Sequence, residues 1–133
     1  MATIKSYTDL EQSKALAKIL PLESADMEYL SLKVTNATIG SVPFVKDDSE
    51  VKNSAYDAVY ERTPCWSLVS LLEVLKQHCE RLETTVRVNK NYNVFASGNG
   101  FTYRSFDEYP DGISSLINAY YEIVIHLNEL NLL

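Results

Sequence analysis

The fold is centred on one stretch of the chain, Thr63-Pro64-Cys65-Trp66-Ser67-Leu68-Val69-Ser70-Leu71-Leu72-Glu73-Val74-Leu75. This stretch contains the only tryptophan and a dense set of leucines and valines. Thr63 followed by Pro64 predicts a helix start, because threonine caps free amide groups and proline at the first helical position loses no hydrogen bond. The helix that follows has a broad apolar face, so we expect it to be mostly buried at the centre of the core.

The chain of 133 residues is long enough for one domain with one hydrophobic core. It shows no internal repeat, low-complexity tract or linker, so residues 1–133 are interpreted as a single domain. No apolar run approaches the roughly 20 residues that cross a bilayer, and the first residues lack the apolar region of a signal peptide. We therefore expect a cytoplasmic protein that does not contact a membrane.

Alternating side chains predict a small β-meander in the second half of the chain. The strand candidates are Thr84 to Val88, Tyr92 to Ser97 and Phe101 to Phe106. The last two flank Gly98-Asn99-Gly100, and asparagine and glycine tolerate the positive φ of a tight hairpin turn. One face of this hairpin is polar and the other is apolar. The apolar face carries Tyr92, Val94, Ala96, Phe101 and Tyr103.

A sheet with one apolar face is normally covered by helices on that face. Besides the Trp66 helix, the capping box Thr8-Asp9-Leu10-Glu11 predicts a helix to about Leu20, where Pro21 ends it. A last helix is predicted from about Pro110 to Asn128, with apolar residues at helical spacing. The predicted fold class is therefore α+β: a single two-layer domain whose small antiparallel β-meander is covered on one face by about three helices.

Residues 22–62 are harder to interpret. Tyr29 to Val34 alternates in a way that favours a strand, whereas Gly40 and Pro43 interrupt the pattern. The sequence leaves the structure of this region open.

The charge of the chain is negative and unevenly distributed. Its net charge of −6 disfavours broad contact with nucleic-acid phosphates or anionic membranes, which are bound mainly by lysine and arginine. Residues 76–104 hold five basic residues and two acidic ones, whereas residues 105–133 hold five acidic residues and no lysine or arginine. These two segments can attract each other within one molecule or between two copies.

Three blocks of sequence carry a resemblance to known proteins: Leu20-Pro21-Leu22-Glu23-Ser24-Ala25-Asp26-Met27, then Pro64-Cys65-Trp66-Ser67-Leu68 with Leu71-Leu72-Glu73-Val74-Leu75, then His126-Leu127-Asn128-Glu129-Leu130-Asn131-Leu132-Leu133. In these blocks the chain resembles short uncharacterised proteins of gut Bacteroides and their phages or mobile elements. The helix-ending proline that is frequent after the second block in that set is Lys76 here. The resemblance implies an intracellular protein of mobile-element origin, and it brings no activity, cofactor or site.

The two cysteines are candidates for nucleophilic chemistry. Cys65 and Cys79 bracket the Trp66 helix and would lie about 20 Å apart on it, so we expect two reduced thiols without a disulfide. A catalytic dyad of Cys65 with His78 or His126 requires hydrogen-bond contact, which neither spacing predicts. The sequence therefore favours buried, unreactive thiols.

The two histidines give no stronger signal. His78 is adjacent to Cys79, so their side chains diverge by about 100° on a helix. His126 lies one helical turn from Glu122 and Glu129, which is typical of a solvated histidine. The roles of both histidines stay open, and no catalytic residue is assigned.

Metal and phosphate sites are also unsupported by the sequence. Two cysteines and two histidines without paired spacing do not predict a zinc site. Gly98-Asn99-Gly100 is too short to cradle a phosphate. No cofactor-binding or metal-binding residue is assigned, although four acidic side chains carry oxygen ligands that suit a hard cation without forming a calcium-loop pattern. These are Asp26, Asp47, Asp48 and Glu50.

Nine tyrosines raise the alternative of a sheet that stacks single-stranded bases. Its outer aromatic residues would be Phe95 and Phe106, beside the basic residues Arg87, Lys90 and Arg104. The other aromatic residues of the meander occupy the face that the core needs. The acidic net charge argues against nucleic acid as a partner.

The sequence favours a small non-enzymatic protein-interaction module, because it shows amphipathic, aromatic surfaces of opposite local charge and no catalytic set. The alternatives are a small-molecule enzyme whose site is not visible in the sequence and a single-stranded nucleic-acid binder. The last helix is apolar over a wide arc that continues at Leu130, Leu132 and Leu133. This arc predicts association through the carboxyl-terminal region, with another protein or in a two-fold homodimer.

Overall fold

The structure is a computed structural model that describes residues 6–35, 43–45 and 60–133. The described residues form an α+β fold, as the sequence predicts. In chain order its elements are α1 (Leu10–Ala17), a 3₁₀ turn (Leu22–Ser24), β1 (Met27–Leu32), β2 (Phe44–Val45), β3 (Tyr60–Cys65), α2 (Leu68–Lys76), β4 (Arg81–Val86), β5 (Tyr92–Gly98), β6 (Phe101–Arg104), α3 (Ser105–Glu108) and α4 (Leu116–Glu129).

The strands form two antiparallel sheets of three strands each. One is the predicted meander, in the order β4-β5-β6. The other has the order β2-β1-β3 and includes the strand predicted at Tyr29 to Val34, which is β1. Its partner β3 runs antiparallel to it along the whole strand, from Met27 opposite Cys65 to Leu32 opposite Tyr60. A second sheet is therefore the main addition to the predicted architecture.

The hairpin of β5 and β6 agrees with the prediction. Gly98 pairs with Phe101, so the turn residues are Asn99 and Gly100. Gly100 has a φ of 88°, a conformation that strains residues with a side chain. The predicted apolar face is the inner one, and its buried residues are Val94, Ala96, Phe101 and Tyr103.

Trp66 is fully buried in a core cluster that draws residues from α1, α2, β5, β6 and α4. Its indole Nε1 donates a hydrogen bond to Ser24 Oγ at 2.9 Å, so the polar edge of the ring is satisfied. α2 packs against α4, and α4 contacts β5 and β6. Helices therefore cover the apolar face of the meander.

The helix after Trp66 begins later than predicted. Thr63 and Pro64 belong to β3, where they pair with β1. Proline is tolerated there because no strand in the described ranges pairs with β3 on its other side, where a missing amide hydrogen costs little. The helix cap is Ser67, whose side chain accepts a hydrogen bond from the Ser70 amide. The predicted start at Thr63 is wrong because strand pairing takes the place of capping.

The start of α1 is shifted by one residue from the predicted capping box. Asp9 is the N-cap, and its partner in the box is Gln12 rather than Glu11. Thr8 is instead fully buried, and its hydroxyl oxygen accepts from the Trp66 amide at 3.1 Å. The hydroxyl of Thr8 is thus engaged with the core and does not cap the helix.

α4 begins at Leu116 rather than at about Pro110. Ile113, which fits the helical pattern, lies outside the helix and forms a β-bridge with Tyr92. Two backbone hydrogen bonds of 2.9 Å hold this bridge, and they take Ile113 out of the helix.

The ends of several other elements also differ from the prediction. α1 ends at Ala17, short of Leu20, and Phe106 lies in α3 rather than in β6. Two strands lie earlier than predicted: β1 spans Met27–Leu32 rather than Tyr29 to Val34, and β4 spans Arg81–Val86 rather than Thr84 to Val88. None of the helices in the described part of the chain combines the length and apolar character needed to cross a membrane.

The wide apolar arc of α4 is largely covered within the chain. Its residues Ile123, Val124 and Leu127 are fully buried beneath α2 and the meander. The tail folds back, and the Leu132 amide donates to Leu127 O at 2.9 Å. Intramolecular packing accounts for most of the arc, so association through the carboxyl-terminal region stays a prediction.

We predict that Trp66→Ala lowers the free energy of unfolding by about 3 to 5 kcal/mol, because it empties a large, fully enclosed volume. Urea denaturation followed by circular dichroism measures the change. Val69→Ala is the control, since Val69 is 67% exposed on the adjacent helix and its loss should cost less than about 1 kcal/mol. A thermal midpoint of Trp66→Ala within about 2 °C of wild type would contradict the central position of Trp66.

Candidate functional site

An open cleft of about 450 Å³ lies where α1, the loop before α4 and α4 itself meet. It holds ionisable side chains with shifted pKa values, which makes it the candidate functional site. We call it the acidic cleft. Its lining residues are Asp9, Gln12, Tyr109, Gly112, Ile113, Ser114, Asn118 and Glu122.

Two helices position the polar side chains of the acidic cleft. Asp9 caps α1 by accepting from the Gln12 amide at 2.7 Å. Gln12 Nε2 donates to Asn118 Oδ1 at 2.8 Å and thereby ties α1 to α4. Asn118 and Glu122 are one helical turn apart, so they share a face of α4.

The loop at one side of the acidic cleft is held by the turn between β4 and β5. Arg87 Nη1 donates to Pro110 O at 2.9 Å, and Asn91 Nδ2 donates to Asp111 O at 2.9 Å. Gly112 has a φ of 87°, and a Cβ there would lie 2.8 Å from Asn91 Cβ. Glycine is therefore required where the loop approaches the turn.

Glu122 is the central acid of the cleft. It is half-buried, and its pKa is raised first by burial and then by the negative charges of Glu108 and Glu129. In the described part of the chain, the ion pairs join other residues and none includes Glu122. The carboxylate therefore lies in a partly desolvated position without a described cationic partner.

Two tyrosines extend this acidic environment. The pKa of Tyr109 is raised, chiefly by the charge of Glu122. Burial raises the pKa of Tyr103, and Glu122 and Glu108 add to the effect. The buried Tyr103 hydroxyl has no hydrogen-bond partner among the described residues. Phenols and carboxylates thus gather around Glu122.

The acidic cleft offers hydrogen-bond acceptors and negative charge. The amide nitrogen of Gln12, a natural donor, is already bonded to Asn118. Glu122 presents carboxylate oxygens, and Asp9 adds negative charge while its Oδ1 accepts from the Gln12 amide. Tyr109 adds an aromatic ring that a cation can contact. This arrangement suits a cationic group rich in donors, such as an ammonium or a guanidinium.

The cysteines lie elsewhere. Cys65 ends β3 and Cys79 follows α2, so the prediction that one helix holds both is wrong. Both are free thiols. Cys65 is fully buried, and its sulfur donates to Thr8 O at 3.3 Å. Burial raises the pKa of both thiols, which disfavours the reactive thiolate.

The histidines are separated from the thiol of Cys65. The imidazole of His126 lies on α4, with its ring centroid 5.9 Å from that of Tyr103. His78 lines a different groove, which also contains Leu133. The hydrogen bonds described for Cys65 run to Thr8, so neither histidine forms a dyad with it in the described structure.

Of the four acidic residues whose oxygen ligands suit a hard cation, Asp26 alone lies within the described residues. Asp26 accepts from the Ser67 amide at 2.9 Å and from the Ser67 hydroxyl, and so braces the start of α2. Asp47, Asp48 and Glu50 lie outside the described residues. Within the described ranges, no group of three or more histidine, cysteine or acidic side chains is placed to hold a metal ion.

The outer face of the meander carries Phe95, as predicted. The guanidinium groups of Arg81 and Arg104 lie 5.3 and 5.6 Å from the centroid of its ring. Cation–π contacts with the protein's own arginines therefore occupy the ring that would have to stack a base. Arg81 also pairs with Glu83, which reduces the positive charge of this face.

The sequence did not single out Glu122, Tyr109 or Tyr103 as site residues. Its available signal was the run of residues 105–133, which holds five acidic side chains without a lysine or arginine. The chain matches no protein-family model, no curated protein and no solved structure.

We predict that Glu122→Gln stabilises the protein at neutral pH and not in acid. Since the pKa of Glu122 is raised in the fold, the wild type is favoured while the carboxyl is protonated and loses stability as the pH rises through that pKa. We expect a gain on the order of 0.5 kcal/mol at pH 7, or about 2 °C in Tm, after solvent screening.

Thermal melts from acid to neutral pH measure this difference. Glu80→Gln is the control because it makes the same change in net charge on an exposed residue outside the cleft. Equal gains for the two variants at pH 7 would show that net charge alone is responsible and would contradict the prediction.

Proposed function

We propose that this chain is a small protein-interaction module whose acidic cleft takes up a lysine or arginine side chain of a partner protein. The observation that carries the proposal is the half-buried Glu122, which lies in a cleft with Tyr109 and Asp9 and has no cationic partner in the described structure. A cation from outside the chain would supply the opposite charge.

Binding of a cation relieves the electrostatic cost of an ionised Glu122, which is partly desolvated and lies near Glu108 and Glu129. Partly desolvated ion pairs with hydrogen bonds contribute more than exposed pairs, because water screens them less. The pKa of Glu122 would fall when a cation binds, since an opposite charge favours the ionised carboxyl. The acidic cleft is also open, so it can admit a side chain that projects from a protein surface.

A second candidate is a small-molecule enzyme in which Glu122 donates a proton. The raised pKa of this acid supports it, because general acids work best with a pKa near the operating pH. The described lining offers no clear nucleophile and base in contact with each other. We therefore rank binding above catalysis.

A cytoplasmic location and a mobile-element origin are also proposed. Support comes from the resemblance to Bacteroides mobile-element proteins in the blocks around Pro21, Trp66 and the carboxyl terminus. Two reduced thiols fit a reducing compartment.

The proposed function predicts that ¹⁵N-labelled protein binds N-acetyl-arginine amide. We expect chemical-shift changes at the amides of residues 109–122, and binding about tenfold weaker for N-acetyl-citrulline amide, which has a similar shape without the charge. Glu122→Gln should weaken binding of the arginine probe by about tenfold, since it removes a charge-assisted hydrogen bond. Glu80→Gln should leave it unchanged.

The two candidate functions, cation binding and proton donation, predict different results in this titration. Equal shifts with the arginine and citrulline probes would rule out recognition of a cation by the acidic cleft. If Glu122 then still titrates with a raised pKa, proton donation becomes the better explanation for its environment.

A further inference from the structure

We propose that two copies of this chain pair side by side along β4, antiparallel and with Thr85 on the two-fold axis. The two meanders of three strands would then form one continuous sheet. The surface involved is the free edge of β4, which is separate from the acidic cleft. The inference therefore does not depend on the proposed function.

The free edge of β4 presents unpaired backbone groups. β4 pairs with β5 on one side, and no strand in the described part of the chain pairs with it on the other. The Arg87 amide donates to Asn91 O at 2.7 Å, which places a hydrogen-bonded pair at the end of this ladder. Because such pairs alternate in antiparallel sheets, the backbone groups of Thr84 and Val86 point away from β5.

The facing residues of β5 agree with this alternation. Tyr92, which pairs with Val86, exchanges its two backbone hydrogen bonds with Ile113 on the side away from β4. The amide of Val94, which pairs with Thr84, donates to a side-chain hydroxyl at 2.7 Å. Both β5 residues therefore direct backbone groups away from β4, as residues of non-hydrogen-bonded pairs do.

β4 has few of the features that usually protect a sheet edge from pairing. From Leu82 to Val86 it contains no proline, glycine or bulge and one charged side chain, Glu83, and five of the six β4 residues are exposed. Val86 is 65% exposed although it lies on the inner face of the meander. A second strand that covers Val86 would remove apolar surface from water and so stabilise the pairing.

The side chains of β4 are self-complementary when Thr85 lies on the two-fold axis. Glu83 then faces Arg87 of the second copy, and the symmetry repeats this pair. Thr84 faces Val86 of the second copy, and Thr85 faces Thr85 of the second copy. Opposite charges, paired threonines and β-branched neighbours are cross-strand pairs that stabilise sheets.

The charged pair needs a rearrangement of Arg87. Glu83 accepts from Arg81 through Oε1, which leaves Oε2 for the second copy. Arg87 extends across β5, where its Nη1 donates to Pro110 O, so it reaches Glu83 of the second copy only after it releases that carbonyl.

Neighbouring registers are less favourable. An axis at Thr84 places Arg81 opposite Arg87 of the second copy, and an axis at Glu83 places two glutamates opposite each other. An axis nearer the start of β4 leaves Val86 uncovered. An axis at Val86 covers that side chain but places Glu83 opposite Asn89. Of these registers, the axis at Thr85 alone combines an opposite-charge pair with cover of Val86.

Cysteine cross-linking tests the register. In Thr85→Cys the new thiol faces the equivalent thiol of the second copy. The two residues form a non-hydrogen-bonded pair with Cα atoms about 4.5 Å apart, which is within reach of a disulfide. We expect oxidised glutathione to convert this variant mostly to a covalent dimer on a non-reducing gel. Glu83→Cys and the wild type, which already holds Cys65 and Cys79, should stay mainly monomeric on that gel.

Sedimentation equilibrium tests the edge itself. Val86→Lys should raise the dissociation constant of the dimer at least about tenfold, because the lysine enters the interface twice. Val69→Lys is the matched control, since Val69 is 67% exposed on α2 and lies outside the edge. The inference is overturned if the wild type is monomeric at high micromolar concentration, if both cysteine variants cross-link equally, or if both lysine variants have the same effect.

Discussion

The hydrogen bonds between the backbone at Trp66 and the segment before α1 hold the junction where β3 leads into α2. The Thr8 amide donates to Trp66 O at 2.9 Å, and the Leu68 amide donates to Ser6 O at 2.9 Å. Tyr29 of β1 adds a bond from its hydroxyl to Thr8 O at 2.8 Å. Because Thr8 and Trp66 are fully buried, loss of their hydrogen bond would leave a buried polar group without a partner. The direction in which β3 leads into α2 is fixed here, and the packing of α2 on α4 and of α4 on the meander follows from it.

The sequence predicts best those elements whose cause lies within a few residues. Asn99 and Gly100 specify the hairpin turn, and the alternation beside them specifies its faces. Thr63 and Pro64 carry an equally good local signal for a helix, yet pairing with β1 from a distant part of the chain makes them a strand. The capping role predicted for Thr8 is wrong for the same reason, since its hydroxyl accepts a hydrogen bond from the Trp66 amide. Such partners do not appear in any local pattern.

The acidic cleft was only partly predictable. The acidic run after Ser105 indicates where negative charge collects, but the half-buried state of Glu122 depends on a loop whose path was not predicted. That loop leaves the helical pattern because Ile113 pairs with Tyr92. The same bridge pairs the backbone groups of Tyr92 that point away from β4, so one local departure from helix shapes the cleft and extends the sheet beside it.

The burial of Cys65 next to Trp66 gives the chain an intrinsic probe of its own motions. Its thiol is enclosed, and its pKa is raised by burial, so a thiol reagent reacts with it only when the junction between β3 and α2 opens. The rate of that reaction reports how often the junction opens, without any added label. Cys79, only half-buried after α2, reports instead on the end of that helix. Two natural thiols thus distinguish local unfolding at the centre of the fold from fraying at its surface.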